Sequence, residues 1–178
     1  MSPKTEQALL LLLLAAAALL LLVTIEGIGL CVDEPPYFRA GDAYVAALSR
    51  QVARLFSNGV GAALDRTLID EGWGFNHEHP PLAKLVYGAT GALERLGVGR
   101  IAAHRSGAVL LFLAGMWVLM RFLRQRWGIF AALFGGGALL TMPQVFAHAH
   151  MAALDLPYAL FALFVTVAFL WGLEDVRG

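Results

Sequence analysis

Apolar residues dominate four stretches of the chain, at about residues 8–30, 101–122, 127–142 and 152–171. At about 1.5 Å of rise per residue, the first, second and fourth are long enough as helices to cross the roughly 30 Å hydrocarbon layer of a bilayer. The third is shorter and contains Gly135, Gly136 and Gly137. Small residues of this kind let a neighbouring helix approach closely in membranes, and a packing role is expected for them. Lys4 ahead of the first stretch and the alanines inside it also fit a secretory signal. The run is too long for an h-region, however, and no small-residue cleavage site follows before Asp33, so a retained span is expected. Leu30 before Cys31 is too bulky for lipoprotein processing at that cysteine.

Residues 31–100 form the expected outer segment, too polar to cross and too apolar to be disordered. Within 42–56, Val45, Leu48, Val52 and Leu55 share one helical face while Arg50, Gln51 and Arg54 share the other. This predicts an amphipathic helix along the membrane surface. A second short helix is expected over about 60–69. A loop over 70–79 follows, where Trp73 and Phe75 suit the headgroup zone. Pro80 and Pro81 open another helix, since proline is tolerated in a first turn, and Leu82, Leu85, Val86, Ala89 and Leu93 continue it at helical spacing. The expected fold class is an all-α polytopic membrane protein, one domain over 1–178 with about four transmembrane helices and interfacial amphipathic helices in the first outer loop.

Composition agrees with a membrane protein: 59% of residues are hydrophobic and 15% charged. A net charge of +0 points away from a nucleic-acid partner, and the single Cys31 cannot form an intrachain disulfide. Sidedness comes from the link 121–126, which carries three arginines and no acid. By the positive-inside tendency it is cytoplasmic. Both termini are then cytoplasmic, and residues 31–100 and 143–155 share the outer face. Glu26 lies late in the first apolar stretch and is read as an acid near its outer rim rather than a midplane group.

The candidate chemistry clusters on that outer face. Asp33 and Glu34 stand where the first apolar run ends, and His77, Glu78, His79, Pro80, Pro81, Leu82, Ala83 and Lys84 follow about fifty residues later. When a sugar leaves a lipid phosphate, the leaving group is already stable, so one carboxylate suffices to deprotonate the acceptor and a cation to hold the phosphate. Asp33 fits the base, and Lys84 and Arg39 fit the phosphate partners. The plainer roles are a span terminus for the acidic pair and a headgroup-binding or snorkelling side chain for Lys84. Asp155, just before Leu156 and Pro157, reads as a helix N-cap and also as a substrate or catalytic carboxylate. His77 with His79 and His148 with His150 form two HxH pairs that make a divalent metal conceivable. Neither has helical i, i+4 spacing, and no metal ligand is assigned. His104, near the start of the second span, supports no site of its own.

Three features in order resemble the GT-C superfamily, specifically the protein O-mannosyltransferases and related bacterial polyprenyl-phosphate-dependent glycosyltransferases. These are Asp33 and Glu34 after the first span, the HPPLAK string from His79 to Lys84, similar to an HPPLGK-like string of mannosyltransferases, and the PQVFAHAH stretch from Pro143 leading to Asp155. The resemblance implies a multi-span enzyme of the bacterial plasma membrane. It would take a sugar from a dolichyl or undecaprenyl phosphate carrier and pass it, with inversion, to a protein, lipid or glycan hydroxyl on the outer face. It further implies Asp33 as the base, Glu34 assisting substrate or acceptor binding, His79 and Lys84 in the lipid-phosphate pocket, and Asp155 at an acidic position of the second outer loop. Such enzymes have many more spans than four, so the resemblance covers the amino-terminal part of the family. Two other classes are compatible with the pattern. One is a non-catalytic membrane subunit whose outer loop binds lipid or a partner, and the other is a transporter, which would need ionisable groups near the bilayer midplane rather than at one rim.

Overall fold

The computed structural model describes residues 1–175. All regular structure among them is helical: α1 (Pro3–Val23), α2 (Glu34–Asn58), α3 (Val60–Ala63), α4 (Arg66–Trp73), α5 (Pro81–Gly91), a 3₁₀ turn (Ala92–Leu96), α6 (Arg100–Thr141), α7 (Pro143–Ala149) and α8 (Asp155–Asp175). Three of these helices, α1, α6 and α8, are long and apolar enough to cross a membrane, which marks the chain as a membrane protein. The residues fall into two compact units, one made of 1–28, 108–150 and the chain from 154 onward, the other of 29–107 and 151–153.

The first unit is built from apolar helices. Ser2 caps α1 by accepting the Thr5 N–H, and Pro3 opens it, a start signal that the apolar pattern did not mark. The helix ends at Val23 rather than near Leu30. Thr24 closes it, its hydroxyl donating to the Leu20 carbonyl, and Gly27 then turns back onto the Thr24 carbonyl. Glu26 therefore lies outside the helix and is exposed, not inside the span. The second and third expected spans are two arms of α6 joined at Gly128, whose φ of 83° and ψ of −175° are open to glycine and strained for other residues. The arm after Gly128 rises about 20 Å, short of the hydrocarbon layer. Gly135 and Gly136 pack closely on Leu123 and Met120, as expected of small residues, but Gly137 faces open space. Near the other end of the unit, Arg124 pairs with Glu6 at 3.0 Å, and the Trp171 indole donates to Gln125 at 2.8 Å.

The second unit is packed differently. Its core is α2 on α5, with α3 and α4 also against α2. The first half of α2 buries Tyr37, Phe38, Ala40, Gly41, Tyr44 and Ala47. Where α2 meets α5, a Cβ on Gly88 would lie 2.2 Å from the Gly41 carbonyl oxygen, so the two backbones touch only because both positions are glycine. Gly72 does the same for α4, where a Cβ would sit 2.5 Å from that of Ala47. The short helix expected over 60–69 is two pieces, because Asp65 starts α4 afresh by accepting the Leu68 N–H at 3.1 Å. α4 runs on to Trp73, so the expected loop over 70–79 is confined to the residues after it. The Tyr87 hydroxyl donates to the Ala153 carbonyl, which ties 151–153 into this unit.

Candidate functional site

The acidic pair divides sharply between its two members. Pro35 and Pro36 occupy the first turn of α2, and Asp33 stands at its N-cap without a side-chain capping bond. Asp33 is exposed, and its carboxylate has no side-chain hydrogen bond or ion pair among the described residues. Glu34 is wholly buried. Its carboxylate accepts Arg105 Nε at 2.8 Å, Arg105 Nη2 at 2.7 Å, the Cys31 N–H at 2.8 Å and the Ala152 N–H at 3.0 Å. Arg105, equally buried, also donates to the Gly29 carbonyl at 3.0 Å. Burial pushes the Glu34 carboxyl up, but the hydrogen bonds from Arg105, Cys31 and Ala152 and the arginine charge outweigh it and hold the group below its ordinary value. A buried carboxylate with both oxygens occupied has nothing left to offer a substrate. Instead it fixes the turn from which Asp33 projects.

Lys84 also differs from its expected role. It is fully buried, and its ammonium donates to the Asn76 carbonyl at 2.5 Å, to Asn76 Oδ1 at 3.0 Å and to the Tyr44 hydroxyl at 3.4 Å. Three donors meet three oxygens, so no proton remains for a phosphate. Burial lowers the Lys84 ammonium pKa, against the opposing charge of Glu78. Burial, then the Glu78 charge, raises the Tyr44 phenol. Tyr44 donates to the Phe75 carbonyl at 2.8 Å, and Asn76 takes up a left-handed φ of 56° that asparagine tolerates better than most residues. Lys84 thus organises the 74–80 loop.

His79, at the end of that loop, is half-buried with its ring edge-on to Tyr37, the centroids 5.9 Å apart. Tyr37 lies one helical turn beyond Asp33, so His79 and Asp33 flank the same stretch of α2. Arg39 is exposed, its guanidinium 4.5 Å above the Phe75 ring, a cation–π contact that leaves the N–H edge to solvent. Asp155 belongs to the other unit. It is the first residue of α8 rather than its N-cap, and His148 Nδ1 is 3.7 Å from its carboxylate. The two share a hollow of about 210 Å³ with Gln144 and Val145.

The histidine pairs have separate employments. His77 Nδ1 bonds the Gly74 carbonyl at 2.9 Å, and His150 lies 2.7 Å from both the Thr24 hydroxyl and the Phe146 carbonyl. Among the described residues no group of three or more His, Cys, Asp or Glu side chains is arranged to hold a metal ion. His104, which supports no site in the sequence, is fully buried between Asp42 Oδ1 at 2.9 Å and the Arg100 carbonyl at 3.0 Å, with Phe38 stacked on its ring. His104 thus bridges the Asp42 carboxylate of α2 and the Arg100 carbonyl of α6. Arg105 went unnoticed because it sits in the first turns of an apolar stretch. An arginine there requires a partner, and that requirement was the available signal. Comparison with protein-family models, curated proteins and solved structures returns no match to this chain.

Proposed function

We propose that this chain carries the base of a membrane glycosyltransferase that moves a sugar from a polyprenyl-phosphate carrier to an acceptor hydroxyl. The observation that supports the reading is the asymmetry of the acidic pair: Glu34 is spent on four hydrogen bonds, while Asp33 stands exposed and unengaged on the turn those bonds hold still. A carboxylate held in place without being neutralised is what a general base requires. In the reaction, the acceptor oxygen attacks C1 of the sugar as its proton passes to Asp33. The C1–O bond to the phosphate breaks with its electron pair going to the phosphate, and the configuration at C1 inverts.

Arg39 is assigned the phosphate, since its guanidinium edge is open and suited to bidentate contact, whereas the Lys84 donors are engaged internally. His79 flanks the base, and Lys84 and Glu34 act through the loop and the turn they hold. The acceptor is a protein, lipid or glycan hydroxyl. In this reading 129–141 is a short fourth crossing, both ends of the chain are cytoplasmic and the enzyme belongs to a bacterial plasma membrane. The exposed stripe of Leu48, Val52, Leu55 and Phe56 on α2 rests in the headgroup layer.

That stripe also favours a second reading, a non-catalytic membrane subunit whose outer segment binds lipid. One variant separates the two. Asp33→Asn, assayed in membranes with a radiolabelled polyprenyl-phosphate mannose, is expected to lower transfer by a factor of about 10² to 10⁴ with unchanged protein in the membrane. An undiminished rate would remove Asp33 as the base and leave the subunit reading.

A further inference from the structure

The end of α4 carries a feature that the base assignment does not use. Trp73, Ile69, Asp70, Gly74 and His77 line a hollow of about 350 Å³, at the small end of the size range for ligand pockets. Its wall is rigid for reasons set in the sequence. Asp65 caps α4, Gly72 lets it close onto Ala47 of α2, and Trp73 is thereby laid on Tyr44, the rings 4.9 Å apart and 29° from parallel. The Trp73 Nε1–H is committed to Gln51 Oε1 at 3.2 Å. Tyr44 covers one face of the indole, and Trp73 also lines the hollow.

Two polar groups stand on the rim. His77 Nδ1 is 2.9 Å from the Gly74 carbonyl, which only accepts. Nδ1 is the donor in that bond, and Nε2 has no partner among the described residues and is open to a hydroxyl. The Asp70 carboxylate is 69% exposed and held only loosely, 3.6 Å from Arg66. A fixed aromatic face with hydroxyl acceptors at its edge matches a ring that is apolar on one face and carries hydroxyl groups around its rim. The negative face of the indole attracts the polarised C–H bonds of such a ring, and the carboxylate and imidazole take its O–H groups. A quaternary ammonium would also meet an indole and a carboxylate here, but Arg66 beside Asp70 offsets the negative charge that a cation would need.

We propose that this hollow is a subsite for a single neutral pyranose ring, with Trp73 as platform and Asp70 and His77 as hydroxyl acceptors. It deepens the glycosyl-transfer reading by adding a place for a sugar of the donor or acceptor. It is tested by binding alone, so its failure and that of the base are separable. The experiment is saturation-transfer NMR on the whole chain in nanodiscs, with methyl α-D-mannopyranoside, methyl α-D-glucopyranoside and choline chloride as separate probes. Expected is transfer to the ring C–H protons of at least one glycoside, an apparent Kd raised roughly tenfold by Trp73→Ala, and a smaller rise of about threefold in His77→Ala and Asp70→Asn. Asp33→Asn should bind as the unaltered protein does. Since Trp73→Ala also removes a stacking partner of Tyr44, Trp73→Phe serves as its companion and should retain most of the binding. The proposal is overturned if no glycoside receives saturation, if binding is indifferent to Trp73 and His77, or if only choline binds in a Trp73-dependent way.

Discussion

On α1 only Leu10, Ala17 and Leu21 are buried, while Leu11, Leu12, Leu19, Leu20, Leu22 and Val23 stand exposed. The first half of α2, by contrast, buries a glutamate, the three aromatic rings of Tyr37, Phe38 and Tyr44, and a glycine that touches the facing backbone. The difference is one of solvent. Where lipid surrounds a helix, an exposed leucine is already at home, and many apolar residues serve equally well. In the 29–107 unit the packing depends on atoms that must be absent, as at Gly41 and Gly88, and on charges that must be matched, as at Glu34 and Arg105. Constraint is therefore concentrated in the unit that bears Asp33.

The largest expected departure from this contrast comes from Arg105→Met. It strands the Glu34 carboxylate in the interior, and losing one partner of a buried pair costs about 3–5 kcal/mol. Denaturant unfolding in micelles, followed by protease sensitivity within 29–107, should register it, while Leu12→Ala on α1 should leave the same measurement nearly unmoved. A result in which both variants were equally mild would collapse the distinction between the two regions.

A matched pair of glycine substitutions sharpens it further. Gly88→Ala drives a methyl into the Gly41 carbonyl and should cost about 1–3 kcal/mol, read by the same unfolding curve. Gly137→Ala meets nothing within 4 Å and should instead stabilise its helix, by no more than about 1 kcal/mol. The smallest effect is in pH. Burial raises the Glu34 carboxyl, but Arg105, Cys31 and Ala152 together hold it below 4.5. Its stabilisation is thus complete above about pH 4.5 and is lost as the pH falls through the lower folded value. Glu34→Gln should flatten the acid limb of a stability profile, and an unchanged slope would show that other carboxylates set it.

How much of this could be read from the residues depended on the distance of the partner. The apolar lengths of α1 and α8, the surface-type periodicity of α2 and the start of α5 at Pro81 are local properties, and all are visible in short windows. The end of α1 at Val23 was missed because Ile25, Ile28 and Leu30 keep the stretch apolar although Gly27 and Gly29 unwind it. The burial of Glu34 and Lys84 was out of reach for another reason. A charged residue next to an apolar run looks exposed until the group that neutralises it is known, and Arg105 lies 71 positions from Glu34. His104 is hidden by the same cause, its carboxylate being 62 positions away.

The reach of the Glu34 carboxylate sets an order on how the protein matures. One of its four hydrogen-bond donors, the Ala152 N–H, is encoded 118 positions downstream. At translation speeds of about 5–20 residues per second, that amide leaves the ribosome roughly 6 to 24 seconds after Glu34 itself. The turn bearing Asp33 is therefore synthesised well before the last of the donors that hold it in its final shape.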